Sequence, residues 1–164
     1  MSGTATGGNP GFTHVDAAGA ARMVDVTAKA VTVREATATG LVRCSPEVVR
    51  ALRDATVPKG DVLAVARLAG IQATKRTPEL VPLAHPVAIH GVVMDVAVVD
   101  AGVSLRATVR TAERTGVEME ALTAVAVAGL AVVDMVKALD RYSEITDVRV
   151  VAKSGGRSGD WVRD

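Results

Sequence analysis

The segment TGVEMEALTAVAVAGLAVVDMVKALD, from Thr115 to Asp140, restricts the fold more than any other part of the chain. Its middle is almost wholly apolar, and it predicts a helix over about 119–139 that needs burial on most sides. Charged residues nevertheless stand near both ends of this helix, namely Glu118 and Glu120 at its start and Asp134 and Lys137 near its end. One sheet covers only one side of a helix, so the segment predicts a partner subunit on the other side.

The two glutamates at the start of this helix admit two interpretations. Thr115 and Glu118 fit the Thr-x-x-Glu pattern of a capping box, which would account for Glu118 as a helix cap. Glu120 lies two residues further on and points to nearly the opposite side of a helix, so a cap explains at most one of the two. The alternative is a catalytic pair, because carboxyl groups near an apolar surface acquire raised pKa values suited to proton transfer.

Asp134 and Lys137 are three residues apart and therefore share one face of the helix. An ordinary surface ion pair is the simplest interpretation of this spacing. If both ends of the helix are instead catalytic, one chain cannot easily bring them to one substrate. Glu120 and Asp134 would lie about 21 Å apart along the helix axis. A site that uses both ends therefore predicts an oligomer.

The segments before and after this helix alternate between helix and strand signals. Ser45 followed by Pro46 is a strong helix start. Helices are predicted over 45–55 and 59–76, a Thr-Pro turn over 77–86, and strands over 39–45, 87–100, 103–113 and 147–153. The turn DAG joins two of these strands into a hairpin. The pattern predicts a two-layer α+β domain with a mainly antiparallel sheet and its helices on one face.

The chain ends carry weaker signals. Residues 1–11 are small and polar and predict a disordered tail, and residues 12–37 predict an extended or irregular stretch. The segment SGGRSGDW, from Ser154, predicts a flexible glycine-rich end. Because no linker or internal repeat interrupts the sequence between them, residues 12–164 are expected to form a single catalytic domain.

Composition excludes several functional classes. The chain has 19 basic and 18 acidic residues and few aromatic ones, so neither a basic field nor a base-stacking surface for nucleic acid is expected. Gly129 and Asp134 interrupt the longest apolar run, so no membrane span is expected. The single cysteine, Cys44, and the absence of a secretory signal predict a cytoplasmic protein. No CxxC or HxxxH pattern is present, so a structural zinc site is not expected.

Basic residues and one histidine suggest an anion site. His85 stands in a proline-bounded turn, where a core histidine bonded to a backbone carbonyl is an equal alternative. Lys153 begins KSGGRSGD, a glycine-rich stretch that could approach phosphates or could be a mobile tail, and that lacks the order of a Walker loop. From the residues alone an enzyme, a non-catalytic nucleotide-binding oligomer and a structural assembly subunit all remain open.

Four segments together resemble one family. They are THVDAAGAARMVDVTAKAVTVREA, KGDVLAVARLAGIQATKRTPELVPLAHP, TGVEMEALTAVAVAGLAVVDMVKA and AKSGGRSGD, and the resemblance runs from about Phe12 to Asp160. The chain resembles the molybdenum cofactor biosynthesis accessory protein C family, whose members are cyclic pyranopterin monophosphate synthases. The resemblance implies a ferredoxin-like fold, a homohexamer built as a trimer of dimers with interfacial sites, and a lyase acting on a cyclised GTP derivative. It implies no redox cofactor, and it leaves Mg²⁺ bound with the triphosphate as an open alternative.

The resemblance also implies which residues act. The implied catalytic residues are Lys59, Glu118, Glu120, Asp134, Lys137 and Lys153. The implied substrate-binding residues are Asp25, Arg34, Lys75, Leu83, Ala84, His85, Met119 and Glu120, with no metal ligand. Many relatives have cysteine before the histidine, where this chain has Ala84, so an essential thiol at that position is not expected.

Overall fold

Five strands and four helices follow one another in residues 18–164, the part of the chain that the computed structural model describes. The strands are β1 (Thr32–Arg43), β2 (Gly91–Val99), β3 (Gly102–Glu113), β4 (Glu144–Ser154) and β5 (Trp161–Val162). The helices are α1 (Pro46–Arg53), α2 (Val62–Thr74), α3 (Thr77–Leu80) and α4 (Glu118–Val136). The tail predicted over residues 1–11 lies outside the described residues.

All five strands form one antiparallel sheet in the order β2-β3-β1-β4-β5. The predicted hairpin is present, because β2 and β3 pair along their length and are joined at Asp100 and Ala101. Helix α4 packs on β1, β3 and β4, and α2 packs beside it and against β2. The predicted α+β ferredoxin-like fold, a sheet with helices on one face, is confirmed.

Small residues bring α4 close to both of its neighbours. A methyl group at Gly129 would meet the side chain of Ile145 on β4 at 3.1 Å. A methyl group at Gly70 on α2 would meet the carbonyl oxygen of Ala124 at 3.0 Å. Since larger side chains would push these elements apart, the glycines set how deeply α4 sits between α2 and the sheet. The depth of α4 in turn decides where its two charged ends emerge.

Three local predictions were wrong in their boundaries. The stretch predicted as extended or irregular over 12–37 and the short strand predicted over 39–45 share one long strand, β1, so the extended alternative is correct for residues 32–37. Its small residues pack under the helices and interrupt the usual alternation of size, which obscured the strand in the sequence. Helix α2 begins at Val62 after the cap residue Asp61 and ends before Lys75, inside the predicted range. Trp161 and Val162 form β5, where the sequence predicted a flexible end.

The capping box predicted for α4 is also wrong. The N-cap residue of α4 is Val117, and no side chain caps it by a hydrogen bond. Glu118 is instead the first helical residue, and its carboxylate is directed towards Gly116. An acidic side chain in the first turn interacts favourably with the helix dipole, but it leaves Glu118 available for other contacts.

Helix α4 has 19 residues and contains an apolar window of 18 residues with a mean hydropathy of 1.8, so by length and composition alone it could cross a membrane. Gly129 and Asp134 therefore do not by themselves exclude a span, although the sequence suggested that they do. Half of the apolar window is buried within the chain, as in a core helix. Leu130, on the outward side, remains 59% exposed. The sheet thus covers one side of α4, and the described residues leave apolar surface on the other.

Candidate active site

A cleft of about 390 Å³ opens at the N-terminal end of α4. We call its lining residues the α4 N-terminal group: Leu83, Ala84, His85, Thr115, Gly116, Glu118, Met119 and Glu120. The first three come from the proline-bounded turn after α3, and the others come from the β3–α4 connection and the first turn of α4. The structure therefore brings together the two glutamates and the histidine turn, as the resemblance implies.

Glu120 is the most perturbed acid in this group. Its side chain faces the interior, and the residue is only 3% exposed. Burial is the main reason why the pKa of Glu120 rises from the ordinary value of 4.5 to about 7. Its own backbone N–H opposes this rise in pKa, and the neighbouring carboxylate of Glu118 adds to it. A carboxyl group with this pKa exchanges protons readily near neutral pH, which suits general acid–base catalysis.

This pKa leads to a prediction for Glu120→Gln. A raised folded-state pKa stabilises the protein while the carboxyl is protonated, and this contribution is lost as the pH rises through about 7. Glutamine stays neutral at every pH. The stability of Glu120→Gln relative to wild type is therefore expected to increase by about 3 kcal/mol between pH 4 and pH 8. Urea unfolding across this range measures the difference.

Glu144→Gln, at the exposed start of β4, is the matched control for removing one carboxyl group. If the difference in unfolding free energy between Glu120→Gln and wild type is the same at pH 4 and pH 8, the raised pKa of Glu120 is refuted.

His85 is held by a backbone contact. Its Nε2 atom lies 2.7 Å from the carbonyl oxygen of Val24, so the alternative of a histidine bonded to a backbone carbonyl is correct as far as the bonding goes. The same contact fixes the segment before β1 against the turn. It places Asp25 beside the histidine, and His85, Asp25 and Lys29 all line a second cleft of about 500 Å³.

Asp25 is an exposed carboxylate with local partners. It accepts hydrogen bonds from the hydroxyl of Thr27 at 2.6 Å and from the backbone N–H of Thr27 at 2.8 Å. These bonds, chiefly that from the hydroxyl, lower the pKa of Asp25, and the charge of His85 lowers it slightly further. Asp25 is therefore ionised at neutral pH and oriented beside His85, where it can accept a hydrogen bond from a substrate.

Lys153 reaches the same end of α4 from β4. Its ammonium lies 3.5 Å from Oε1 of Glu118 and donates a hydrogen bond of 2.6 Å to Ser158 Oγ. Arg34 on β1 donates from Nε to the carbonyl oxygen of Glu113 at 2.8 Å. Arg34, Lys153 and Glu118 line a third cleft of about 170 Å³. Cationic side chains from β1 and β4 thus line the same cleft as the carboxylate of Glu118.

The opposite end of α4 carries the α4 C-terminal group, defined as Lys59, Asp134 and Lys137. Lys137 donates to Oδ1 of Asp134 at 2.7 Å, and Lys59 lies 3.0 Å from Oδ2. Lys59 also donates to the carbonyl oxygen of Asp134 at 2.7 Å, which satisfies an acceptor in the last turn of the helix. The hydrogen bonds from Lys137 and then from Lys59 lower the pKa of Asp134. Asp134 is therefore ionised between two ammonium groups.

The two groups do not meet within one chain. Glu118 and Asp134 belong to one uninterrupted helix. The rise of that helix separates the two residues by about 24 Å along its axis. Lys75 is the exposed C-cap residue of α2, and no hydrogen bond or ion pair among the described residues joins it to either group. The structure therefore divides the residues implied by the resemblance between the two ends of α4. Asp25, Arg34 and Lys153 lie in clefts beside the N-terminal group, and Lys75 lies outside both groups.

Comparisons with known proteins add to this geometry. The family model described as the MoaC family matches residues 23–156, which include every implied site residue. The chain belongs to the MoaC family.

Among relatives of this MoaC family member, the cyclic pyranopterin monophosphate synthase of Streptomyces coelicolor is 62% identical over 152 residues, covering 93% of this chain and 89% of that protein. The synthase of a Nocardioides species is 61% identical over 155 residues, covering 93% and 95%. The protein named cyclic pyranopterin monophosphate synthase 2 of Mycobacterium bovis is 52% identical, covering 93% and 91%.

The structure of this MoaC family member also places three residues beside Arg34 that the sequence did not identify as site residues. Lys29, Arg157 and Ser158 line a cleft of about 630 Å³ together with Arg34 and the start of β1. Arg157 and Ser158 belong to the segment that the sequence left between a phosphate loop and a mobile tail. The adjacent glycines were the sequence signal for a folded loop here. Gly155 and Gly156 adopt positive φ angles, and these angles fold the segment back onto β1.

Metal-ligating side chains are not clustered in the described part of this MoaC family member. Residues 18–164 contain no group of three or more His, Cys, Asp or Glu side chains that could hold a metal ion. Glu118 and Glu120 lie close together at one cleft, and the ammonium of Lys153 lies beside Glu118. Their surroundings favour proton transfer and anion binding.

Proposed function

We propose that this chain is a cyclic pyranopterin monophosphate synthase. It converts (8S)-3′,8-cyclo-7,8-dihydroguanosine 5′-triphosphate to cyclic pyranopterin monophosphate and diphosphate, a step of molybdenum cofactor biosynthesis. The observation that carries this proposal is the Lys59–Asp134–Lys137 group in a chain 62% identical to a protein of that name. A non-catalytic nucleotide-binding protein needs cations, but it has no need for a carboxylate held between two lysines.

The substrate's triphosphate carries roughly four negative charges, which require several cationic partners. The clefts beside the α4 N-terminal group supply Lys29, Arg34, Lys153 and Arg157. Arg34 lines both clefts, so a phosphate chain lying along β1 would stay within reach of its guanidinium. These cations support placement of the triphosphate along the start of β1 and the glycine-rich segment.

The reaction needs two kinds of groups. A ribose hydroxyl attacks the innermost phosphorus, so one P–O bond forms, the bond to diphosphate breaks, and the hydroxyl proton passes to a base. Cations stabilise the charge that develops on the departing diphosphate. Rearrangement of the purine-derived ring also needs groups that transfer protons, for which the candidates are Glu120, with its pKa raised to about 7, and Lys137. No step changes the net oxidation state, so we propose that no redox cofactor takes part.

We further propose that each site is completed by a partner subunit, in a cytoplasmic homohexamer built as a trimer of dimers. Two observations support shared sites: the two charged groups lie at opposite ends of α4, and apolar side chains on α2 and α4 are exposed. Leu68 is 68% exposed and Leu130 is 59% exposed. If α4 packs against another subunit, apolar surface is buried and the N-terminal group of one chain can approach the C-terminal group of another.

The proposed activity is tested by incubating the purified protein with the cyclised GTP substrate and measuring diphosphate together with the pterin product. Stoichiometric formation of both products is expected, with no turnover of GTP itself. Parallel reactions with and without EDTA decide whether Mg²⁺ accompanies the triphosphate. Binding of the substrate without release of diphosphate would contradict the proposal and favour the non-catalytic nucleotide-binding alternative.

A further inference from the structure

We propose that Ser158 is a positioning residue, whose hydroxyl orients the ammonium group of Lys153 towards Glu118 and the substrate. This inference rests on the proposed function, because it concerns a lysine of the proposed site. It gives a role to the glycine-rich segment that follows β4. The roles proposed for Glu118, Glu120 and the α4 C-terminal group do not involve this segment.

The contacts of Lys153 carry this inference. Its ammonium donates to Ser158 Oγ at 2.6 Å, which is shorter than its 3.5 Å separation from Oε1 of Glu118. The shorter of these two contacts is therefore made by the serine rather than by the carboxylate. An ammonium group has three donors, so one can bind Ser158 and one can approach Glu118 while the third remains for a phosphate oxygen.

The backbone after β4 folds into a loop that fixes the position of the Ser158 hydroxyl. Gly155 and Gly156 have φ angles of 81° and 75°, and a side chain at either position would collide with Val33 or Arg34 of β1. The N–H of Gly155 donates to Oδ1 of Asp160 at 3.0 Å, which closes the segment into a loop. The chain then returns as β5 beside β4. Ser158 thus stands on a folded loop whose two ends are both anchored.

A lysine side chain needs such a partner to act at one position. Its flexible stem has many rotamers, and confining it to one costs conformational entropy. Without Ser158, the ammonium would lose its shorter contact and keep only the 3.5 Å approach to Glu118, so the stem would move among its rotamers and the ammonium would leave its position beside the substrate. The hydroxyl holds the ammonium 3.5 Å from the carboxylate and keeps it beside the cleft that contains Arg34.

The kinetic test compares Ser158→Ala with Ser158→Thr. We expect Ser158→Ala to lower kcat about tenfold, with a KM change below about twofold, since the substrate still meets the other cations. Ser158→Thr keeps the hydroxyl on the same carbon and should recover most of the lost rate. Ser104→Ala is the matched control, because that serine bonds to the carbonyl of Ala97 on the sheet face away from the helices. Equal rates for Ser158→Ala and Ser104→Ala, or no recovery in Ser158→Thr, would overturn the inference.

A second readout separates this inference from the proposed function. Competitive acetylation followed by mass spectrometry measures how accessible each lysine nitrogen is, with the exposed Lys75 as the internal reference. Lys153 should be labelled severalfold faster in Ser158→Ala than in wild type, and Ser158→Thr should resemble wild type. If the wild-type protein shows no turnover, the proposed function fails while this labelling result still decides the contact. If turnover is normal and the labelling of Lys153 is unchanged, only the inference fails.

Discussion

Lys137→Ala is expected to lower kcat by about a thousandfold, because it removes a group proposed to transfer a proton in the reaction. The same change should alter Tm by only a few degrees. The side chains of Lys137 and Asp134 are both more than half exposed. Exposed ion pairs contribute little to folding. Turnover of the cyclised substrate and thermal unfolding of the same preparation measure both effects.

Two further variants of the same group distinguish charge from proton transfer. Lys137→Arg keeps the positive charge but cannot release a proton near neutral pH, so it should be nearly as inactive as Lys137→Ala. Asp134→Asn leaves Lys59 and Lys137 in place but removes the carboxylate that both contact. It should lower kcat strongly as well, because Lys137 loses the carboxylate that holds its ammonium, although Lys59 keeps its bond to the backbone carbonyl of residue 134.

The Arg53–Asp100 ion pair provides the control, since its atoms are 2.6 Å apart and both side chains are exposed. Asp100→Ala should leave kcat within about twofold of wild type, because neither Arg53 nor Asp100 lines the clefts of the proposed site or pairs with Lys59, Asp134 or Lys137. The proposed role of Lys137 would be refuted if Lys137→Ala or Lys137→Arg retained near wild-type turnover in a protein of unchanged oligomeric state.

Much of this arrangement could be predicted because it depends on local signals. The apolar length of α4, the Ser45–Pro46 helix start and the hairpin across Asp100 and Ala101 each follow from short-range preferences. Helical rise alone indicated that the two charged ends of α4 cannot share a site within one chain. Lys137 beside Asp134 followed from their spacing of three residues, and the structure confirms it as an ion pair.

The contacts that were not predicted depend on distant parts of the chain. Lys59 and Asp134 are separated by 75 residues and meet only because α2 packs beside α4. The capping pattern of Thr115 and Glu118 was misleading, because a sequence pattern does not determine whether the side chain turns towards the backbone. The contact of Ser158 with Lys153 required the fold of a loop whose glycines suggested mobility as readily as a fixed shape.

Coexpression of two inactive variants is expected to restore activity if the site is shared between subunits. Glu118→Ala disables the N-terminal group of α4, and Asp134→Ala disables the C-terminal group. Coexpressed chains would form mixed oligomers in which some sites receive an intact N-terminal group from one chain and an intact C-terminal group from another. Random assembly makes about a quarter of the sites complete, so about a quarter of the wild-type specific activity should return.

Two controls decide how a recovery is interpreted. Asp134→Ala mixed with Lys137→Ala should stay inactive, because both variants lack the same group and no pairing can complete it. Glu118→Ala and Asp134→Ala purified separately and mixed without unfolding should also stay inactive unless subunits exchange. These controls separate complementation between subunits from residual activity of either variant.

The result discriminates sharply between two architectures. If each chain held a complete site, every site in a mixed oligomer would contain one defective group, and coexpression would give no more activity than the separate variants. A complete site within one chain is not expected, because one continuous helix keeps Glu118 and Asp134 apart in each chain. If the reaction uses both groups, a second chain must supply one of them. Absence of recovery in confirmed mixed oligomers would therefore refute the shared site and confine the chemistry to one end of α4.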